Sequence, residues 1–350
     1  MSVAIDSPVA NDSNLKVPFL WRFRPQYFHK IWGGDRLQVF LKKDVGGLKQ
    51  CGESWELSDV PPNPSQVAEG PCEGMSLPDV LHRFGSQIMG KQWTATGTSV
   101  TRFPLLIKFL DAREDLSVQV HPNDVLAQER HGCPGKTEMW YVLEAEPEAT
   151  LITGFRGEMD PETYTRMLQA GRIMEMLNQE PVAAGDVFFI PAGRIHTIGR
   201  GIVLAEIQQS SDITYRLYDF DRVDERGERR ELHTEEAIDA LDFRKYNSYR
   251  TSYSEAGDAP VELVNCPYFR TFLLKLTRPM ERVGHDHLSF RVYMAVQGSG
   301  YLEAGDEHME MKLGDTVLVS AQAGCTRITP GFQGLSLLET GLPALNSVVA

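Results

Sequence analysis

Short stretches of alternating apolar and polar residues recur along this chain, each bounded by glycine, proline or aspartate, and they limit the possible folds more than any other feature. Alternation with a period of two is typical of strands that bury one face. The pattern predicts strands at residues 103–110, 116–121, 139–143, 151–155, 187–190, 202–208, 272–277, 292–296 and 316–320. Many short strands separated by turn residues favour an antiparallel sandwich or barrel over alternating strands and helices. The expected fold class is mainly β.

Three other segments have apolar residues at helical spacing, and we expect short helical insertions near residues 76–92, 160–178 and 234–242. Ser76 can cap the first helix, and Gly85 can end it. Asp160 followed by Pro161 is a start signal for the second, and Thr234 is the expected cap of the third.

Length and the distribution of the strand-rich regions predict two domains. A chain of 350 residues has room for two hydrophobic cores. The polar, tyrosine-rich stretch at 245–260 has no clear period, so we expect the link between the domains there. The predicted organisation is a flexible N-terminus over residues 1–16, a first domain over 17–250 and a second over 251–350.

Charge and cysteine usage exclude several classes of partner. Lys plus Arg number 35 and Asp plus Glu number 48, so the net charge is −13. This balance repels nucleic acid and anionic membranes, and an anionic ligand needs a local basic pocket. The five cysteines contain no Cys-x-x-Cys pair, which disfavours a disulfide framework or a thiolate zinc site. With neither a signal peptide nor a membrane span in the sequence, we expect a cytoplasmic location.

The most informative motif is Gly-x5-Pro-x-Gly-x2-His, which runs from Gly185 to His196 and is typical of a turn, a strand, a tight bend and an inward-facing histidine. Upstream, strict alternation puts Ser117, Gln119 and His121 on one face of a strand, and Lys136 and Glu138 share a face of the next.

Two imidazoles, a carboxylate and an amide oxygen suit zinc or another divalent first-row metal, so we expect a metal site at Gln119, His121, Glu138 and His196. Taken singly, each of these residues also has an ordinary explanation. His121 fits a histidine at the surface end of a strand, Glu138 a solvated carboxylate, and His196 a hydrogen-bonded barrel histidine.

These motifs resemble a known family. The Gly185 to His196 string is similar to the second motif of the cupin barrel, in which the histidine is a metal ligand. As an ordered set, the chain resembles the zinc-dependent type I mannose-6-phosphate isomerases in their shorter bacterial form, over about residues 18–222. The residues that carry the resemblance are Trp32-Gly-Gly34, Gly52-Glu-Ser-Trp-Glu56, Gln119-x-His121, Lys136-Thr-Glu138, His196 and the segment from Glu206 to Arg216.

The resemblance implies two cupin (jelly-roll) barrels and an aldose-ketose isomerase that interconverts mannose 6-phosphate and fructose 6-phosphate through a zinc-stabilised cis-enediol(ate). It implies one Zn²⁺ per chain on Gln119, His121, Glu138 and His196. It also implies that Arg216 is the active-site arginine, with Lys136 and Glu206 in the same pocket.

Such an isomerisation needs a base and groups that stabilise negative charge on oxygen. We expect Glu206 to be the base and Arg216 and Lys136 to stabilise the charge, although metal-bound hydroxide or a histidine could equally be the base. Lys108 lies in an apolar run, and we expect it to point into the cavity. Lys108, Ser117, Lys136 and Arg216 are the candidates for contact with phosphate.

The second half has the rhythm of another barrel without a complete ligand set. Gly284-His-Asp-His287 is followed by Arg291 and Val292 where a carboxylate would be needed. We therefore expect a degenerate barrel without metal, with His285 and His287 as a turn or surface pair.

Two other functions stay open from the sequence, namely a non-haem iron cupin oxygenase and a non-catalytic bicupin that binds a sugar phosphate. Gln119 and Arg216 disfavour the oxygenase, and Glu206 with Arg216 disfavours the binding protein. The preferred hexose phosphate and the oligomeric state cannot be deduced from the sequence.

Overall fold

The computed structural model describes residues 16–91, 102–223, 226–283 and 289–343. In the first half it contains thirteen strands among these residues: β1 Leu20–Arg24, β2 Gln26–Gly34, β3 Cys51–Leu57, β4 Gln66–Val67, β5 Leu105–Ala112, β6 Val118–Val120, β7 Glu138–Ala145, β8 Thr150–Phe155, β9 Leu177–Pro181, β10 Val187–Ile190, β11 His196–Ile198, β12 Ile202–Gln209 and β13 Tyr215–Tyr218.

The described second half is built from seven strands: β14 Pro260–Asn265, β15 Arg270–Leu276, β16 Met280–Val283, β17 Arg291–Ala304, β18 Glu307–Lys312, β19 Thr316–Val319 and β20 Cys325–Gly341. The α-helices of the described residues all lie in the first half: α1 Arg36–Val39, α2 Leu77–Met89, α3 Asp124–His131, α4 Pro161–Gln169 and α5 Thr234–Ala240. Two short 3-10 helices cover Ile173–Met176 and Ala321–Ala323. This confirms the mainly β fold with short helical insertions.

Two antiparallel sheets form a sandwich in the first half. One has the order β10-β7-β12-β5-β2-β3 and the other the order β13-β6-β11-β8-β9. Apolar side chains from both sheets interleave in one buried cluster, which includes Leu110 and Trp140 from the six-stranded sheet and Leu151 and Ile198 from the five-stranded sheet. Burial of these inward faces is the main source of the sandwich's stability.

The third sheet crosses between the halves of the sequence. Its order is β14-β15-β20-β17-β19-β1-β4, with β16 paired to β20 and β18 to β17. The N-terminal strand β1 therefore pairs with β19, with Leu20 opposite Val319. Trp21 adds a hydrogen bond from its Nε1 to Ser320 Oγ at 2.8 Å. A sequence division near residue 250 stays a prediction, and β1 and β4 lie in the sheet of the second half.

Helices cover the outer faces of the sandwich. The apolar side of α2 packs in a cluster that also contains residues of the six-stranded sheet and of the second half: Leu77, Val80, Phe84, Ile107, Phe109, Val292 and Leu338. On the other side, α4 and α5 contribute Tyr164 and Ala237 to a cluster with Phe155 and Tyr215. The insertions therefore bury the sheet faces that the sandwich core leaves open.

The ends of the helices correct three sequence predictions. Ser76 caps α2 as expected, since its Oγ accepts a hydrogen bond from Asp79 N at 3.3 Å. Gly85 does not end that helix. Because Ile88 and Met89 are buried, the apolar face continues to Gly90, which ends the helix at a φ of 81°.

The second insertion is helical only to Gln169, because residues 173–176 form a 3-10 turn and Leu177 starts β9. In the third, Thr234 is the first helical residue and His233 takes the cap position. Helix α3 was not predicted, and its sequence has only one buried residue, Ala127. No helix among the described residues is both long and apolar enough to traverse a lipid bilayer.

Candidate active site

Strands of both sheets bring four predicted metal ligands to one end of the sandwich. Gln119 lies within β6, His121 directly follows it, and His196 and Glu138 are the first residues of β11 and β7. Because β6 and β11 are neighbours, Gln119 is directly opposite His196. Single donor atoms of His121, Glu138 and His196 all lie within 4.8 Å of one another, and all three residues are buried.

Hydrogen bonds orient both imidazoles toward the carboxylate. His121 Nδ1 lies 2.9 Å from the carbonyl oxygen of Ile213, and His196 Nδ1 lies 2.8 Å from that of Arg194. A carbonyl can only accept, so each Nδ1 carries the proton and each Nε2 presents a lone pair. These Nε2 atoms are 3.5 and 3.3 Å from the oxygens of Glu138.

Three of the atoms that could bind a metal at this centre lack hydrogen-bond partners. His121 Nε2 and both carboxylate oxygens of Glu138 are buried without one. Leaving such atoms unsatisfied is costly, and all three can only accept when His121 is neutral and Glu138 is ionised. A cation bound among these lone pairs would satisfy them all, so the residues fit a metal ion.

Gln119 completes the set through its side-chain amide. Its Nε2 is 3.3 Å from His196 Nε2. Oxygen and nitrogen of an amide exchange places by rotation about the last side-chain bond, which would turn the oxygen toward the histidines. The amide therefore reaches the same centre as the three buried groups.

Burial and charge fix the protonation states of the ligands. Burial, together with the nearby ammonium of Lys136, lowers the pKa of His121 to about 3, and burial also lowers the pKa of His196. For Glu138 burial favours the neutral acid, but Lys136 at 3.3 Å and the imidazoles hold its pKa far below the usual value. At neutral pH the centre therefore offers two neutral imidazoles and one carboxylate, which are the forms that bind metals.

A cavity of about 420 Å³ opens beside this centre. Six of the sequence-predicted site residues line it, while His121, Glu138 and His196 form the buried group next to it: the lining residues are Lys108, Ser117, Gln119, Lys136, Glu206 and Arg216. The structure thus brings together all nine residues that the sequence singled out.

Lys108 and Glu206 form a buried ion pair in the cavity wall. Lys108 Nζ is 3.1 Å from Glu206 Oε2, and Trp140 Nε1 donates a hydrogen bond to Glu206 Oε1 at 3.0 Å. Burial raises the pKa of Glu206, although the charge of Lys108 acts against this rise. For Lys108 the carboxylates prevail over burial and raise its pKa, so it stays charged.

Among the described residues, Arg216 is hydrogen-bonded to a backbone carbonyl and a histidine side chain rather than to an acid. It lies opposite Gln119 across β13 and β6. Its Nη1 donates to the carbonyl of Glu231 at 2.9 Å, and its backbone N–H donates to His233 Nδ1 at 3.2 Å. Its Nε is buried without a partner.

The cavity is also lined by residues for which no role was predicted, among them Lys30, Glu53, Arg230 and His233. Glu53 Oε1 is 2.9 Å from Lys30 Nζ, and Glu53 Oε2 accepts a hydrogen bond from Trp55. Lys108 and Lys30 lower the pKa of Glu53 to about 2 in spite of its burial. The marker Gly52 to Glu56 was a signal for Glu53, whereas Arg230 lies in a charged stretch that is typical of a solvated loop.

A β-sandwich with a buried His-Glu-His group at one end is the architecture of a cupin metalloprotein. The family model for the phosphomannose isomerase type I catalytic domain matches residues 20–160. The mannose-6-phosphate isomerase of Streptococcus mutans is 36% identical over 295 residues, which cover 84% of this chain and 90% of that protein. ManA of Bacillus subtilis, also named mannose-6-phosphate isomerase, is 34% identical over 304 residues, covering 85% and 91%.

Solved structures agree with these relatives. The crystal structure of the mannose 6-phosphate isomerase from Bacillus subtilis superposes with a TM-score of 0.82 at 30% identity and covers 93% of this chain and 99% of that one. The chain belongs to the family of type I mannose-6-phosphate isomerases. The resemblance seen in its motifs is thereby confirmed.

Proposed function

We propose that the protein is an aldose-ketose isomerase that interconverts mannose 6-phosphate and fructose 6-phosphate with the help of zinc. The observation that carries this proposal is the buried group of His121, Glu138 and His196, with unsatisfied donor atoms, beside a cavity lined by Glu206 and Arg216. Membership of the isomerase family favours this activity over an oxygenase or a binding protein.

In this proposal Gln119, His121, Glu138 and His196 hold the zinc ion, and the nitrogen and oxygen donors match its preferences. When bound, zinc supplies a positive charge that stabilises negative charge on the sugar oxygens. The Nδ1 hydrogen bonds of His121 and His196 to backbone carbonyls hold both rings in the ligand tautomer.

Glu206 is the proposed base. It takes the proton from C2 of the aldose as the enediol forms, and it returns a proton to C1 to give the ketose, while the hydroxyl proton passes from O2 to O1. Its burial suits this task, because a raised pKa makes a carboxylate a better proton acceptor. Lys108, at 3.1 Å, fixes the orientation of the carboxylate.

Arg216 and Lys136 are proposed to stabilise the oxygens during this proton transfer. Arg216 keeps its charge at any physiological pH and has a buried Nε with no other partner. Lys136 lies 3.3 Å from Glu138, so its ammonium stands next to the metal ligands. Lys108, Ser117 and Lys136 remain candidates for the phosphate from sequence alone, and the charges of both lysines are shared with carboxylates.

The test is a coupled assay that detects fructose 6-phosphate formed from mannose 6-phosphate, before chelation, after chelation and after zinc is added back. We expect activity that disappears on chelation and returns with zinc. Zinc-loaded protein without isomerase activity would refute the proposal. Oxygen consumption by the iron-loaded protein would then indicate an oxygenase, and sugar phosphate binding without turnover would indicate a binding protein.

A further inference from the structure

The lysines of the cavity wall are all neutralised by neighbouring carboxylates. Each lysine of the wall faces a carboxylate: Lys30 Nζ is 2.9 Å from Glu53, Lys108 Nζ is 3.1 Å from Glu206, and Lys136 Nζ is 3.3 Å from Glu138. Asp212, the remaining acid of the wall, raises the pKa of Lys108 further, after Glu206 and Glu53. The lysines therefore contribute no excess positive charge for an anionic ligand.

The arginines carry such an excess. Arg222 and Arg230 share the single carboxylate of Asp219, with Nη2 of each 2.5 Å from Oδ1, and Arg216 next to them has no carboxylate partner. We call Arg216, Arg222, Arg230 and Asp219 the arginine cluster. Within this cluster three positive charges stand against one negative charge, a surplus of two to which the nearby carboxylate of Glu231 is the counter-charge outside the cluster.

Within the arginine cluster, Arg222 and Arg230 differ in what they offer a ligand. Arg222 uses all three nitrogens: Nη2 donates to the carboxylate of Asp219, Nε donates to the backbone carbonyl of Asp219, and Nη1 donates to the backbone carbonyl of Asp115. Among the described residues, Arg230 donates only to Asp219, from Nε and Nη2 at 2.7 and 2.5 Å, and it lines the cavity. Asp219 thus orients Arg230 and leaves its Nη1 for another acceptor, while Arg222 offsets the charge of Asp219.

Within the arginine cluster, it is Arg230 that suits the end of the substrate that does not react. His196 is opposite Gln119, and Gln119 is opposite Arg216, so Arg216 lies two strands from His196, about 10 Å across the sheet. The segment with Arg230 is tied to Arg216 through Glu231 O and His233 Nδ1. By contrast, Lys136 lies at the metal ligands.

We propose that Arg230, oriented by Asp219 beside Arg216, binds the phosphate group of the substrate. A phosphate monoester carries a charge of about −1.5 to −2 at pH 7, which matches the surplus of the arginine cluster. Guanidinium groups also match phosphate oxygens in geometry. This inference rests on the proposed function, and it assigns phosphate recognition to a residue outside the family-like motifs.

The test compares Arg230→Gln with Arg229→Gln in the zinc-loaded protein. Arg229 is the neighbouring residue, its side chain is 70% exposed, and it pairs with Asp221 outside the cavity. For Arg230→Gln we expect KM for mannose 6-phosphate to rise about 10- to 100-fold, as for loss of a charged hydrogen bond, with kcat within about threefold. Competitive inhibition by inorganic phosphate should weaken in parallel, and Arg229→Gln should match the wild type.

Equal KM values and equal phosphate inhibition in the two variants would overturn the inference. If Arg230→Gln does not fold, as judged by circular dichroism, Arg230→Lys decides. Arg230→Lys keeps a positive charge beside Asp219 but lacks the planar guanidinium group. A raised KM with full zinc content would support the phosphate site, and an unchanged KM would overturn it.

Calorimetric titration of the zinc-loaded wild type and Arg230→Gln with inorganic phosphate separates this inference from the proposed function. Phosphate bound by the wild type and lost in the variant supports the site even if no isomerase activity is found. Normal isomerase activity with equal phosphate binding in both proteins refutes the role of Arg230 alone.

Discussion

Lys108 and Glu206 face each other directly on neighbouring strands, and their charged groups meet 3.1 Å apart inside the cavity wall. β5 and β12 are both central strands of the six-stranded sheet, and their register places the two residues directly opposite each other. Burial raises the pKa of Glu206, and the charge of Lys108 is the largest effect that lowers it, ahead of Lys136 and Trp140.

Replacing Lys108 by Met should make Glu206 harder to ionise. Lys108 lowers the pKa of Glu206 against burial, so its loss raises that pKa further. A base works when it is deprotonated, and the acid limb of the kcat profile should therefore move to higher pH. At pH 7 we expect kcat to fall about 10- to 100-fold. Steady-state assays between pH 5.5 and 9 measure this, with the exposed Lys42→Met as control, and an unshifted limb would contradict the role of Glu206.

Replacing Glu138 by Gln should abolish metal binding. The change removes the negative charge among the donor atoms of the buried centre, and we expect zinc affinity to fall by about 100-fold or more. Glu144→Gln is the matched control, because Glu144 lies on the same strand and is 42% exposed. Metal analysis after gel filtration should find zinc in the control and none in Glu138→Gln. Stoichiometric zinc in Glu138→Gln would refute this ligand.

Metal-free protein should lose stability as pH falls below about 6.5. The pKa of His121 is lowered to about 3 in the folded chain, while an unfolded histidine titrates near 6.5. Between pH 3 and pH 6.5 His121 is protonated in the unfolded state but neutral in the folded state. Its contribution to the free energy of unfolding is therefore complete above pH 6.5 and declines as the pH falls toward 3. The slope approaches about 1.4 kcal/mol per pH unit for each such histidine. Urea unfolding of the chelated protein at several pH values measures it, and His121→Gln should flatten the decline.

Removing Lys43 should destabilise the contact between the two halves. Lys43 Nζ is 2.8 Å from Glu56 Oε1 and 2.8 Å from the carbonyl of Gly314, and both side chains are buried. Lys43→Met leaves Glu56 unpaired and should lower the free energy of unfolding by about 3 kcal/mol. The double variant Lys43→Met with Glu56→Leu should recover most of this loss. Urea denaturation measures both free energies of unfolding. The exposed ion pair of Arg172 and Glu175 serves as the control, because replacing Arg172 by Met should leave the free energy of unfolding unchanged.

Much of the fold could be predicted from local patterns in the sequence. The predicted strand at 187–190 coincides with β10, and the one at 202–208 is one residue shorter than β12, because alternation and flanking turn residues depend only on neighbours in sequence. The four proposed metal ligands were predicted from short motifs in the same way. The site residues that could be predicted therefore lie where an alternating strand pattern coincides with a sequence motif of the family.

Features that depend on distant residues were not predictable. Nothing near Leu20 indicates that its strand pairs with residue 319. The run of charges around Arg230 is typical of a solvated loop until Asp219 and Arg216 are seen beside it. Gly85 looked like a helix end, because the burial of Ile88 and Met89 beyond it depends on tertiary packing.

The pairing of β1 with β19 also bears on how the chain is made. Leu20 leaves the ribosome early, yet its hydrogen-bonding partner Val319 is synthesised almost 300 residues later. At about 5 to 20 residues per second, the first strand waits at least some 15 seconds with its edge unpaired. During that interval Trp21, which is buried in the finished fold, lacks Ser320 as the acceptor for its indole N–H, and we expect the unpaired edge to need protection from other chains.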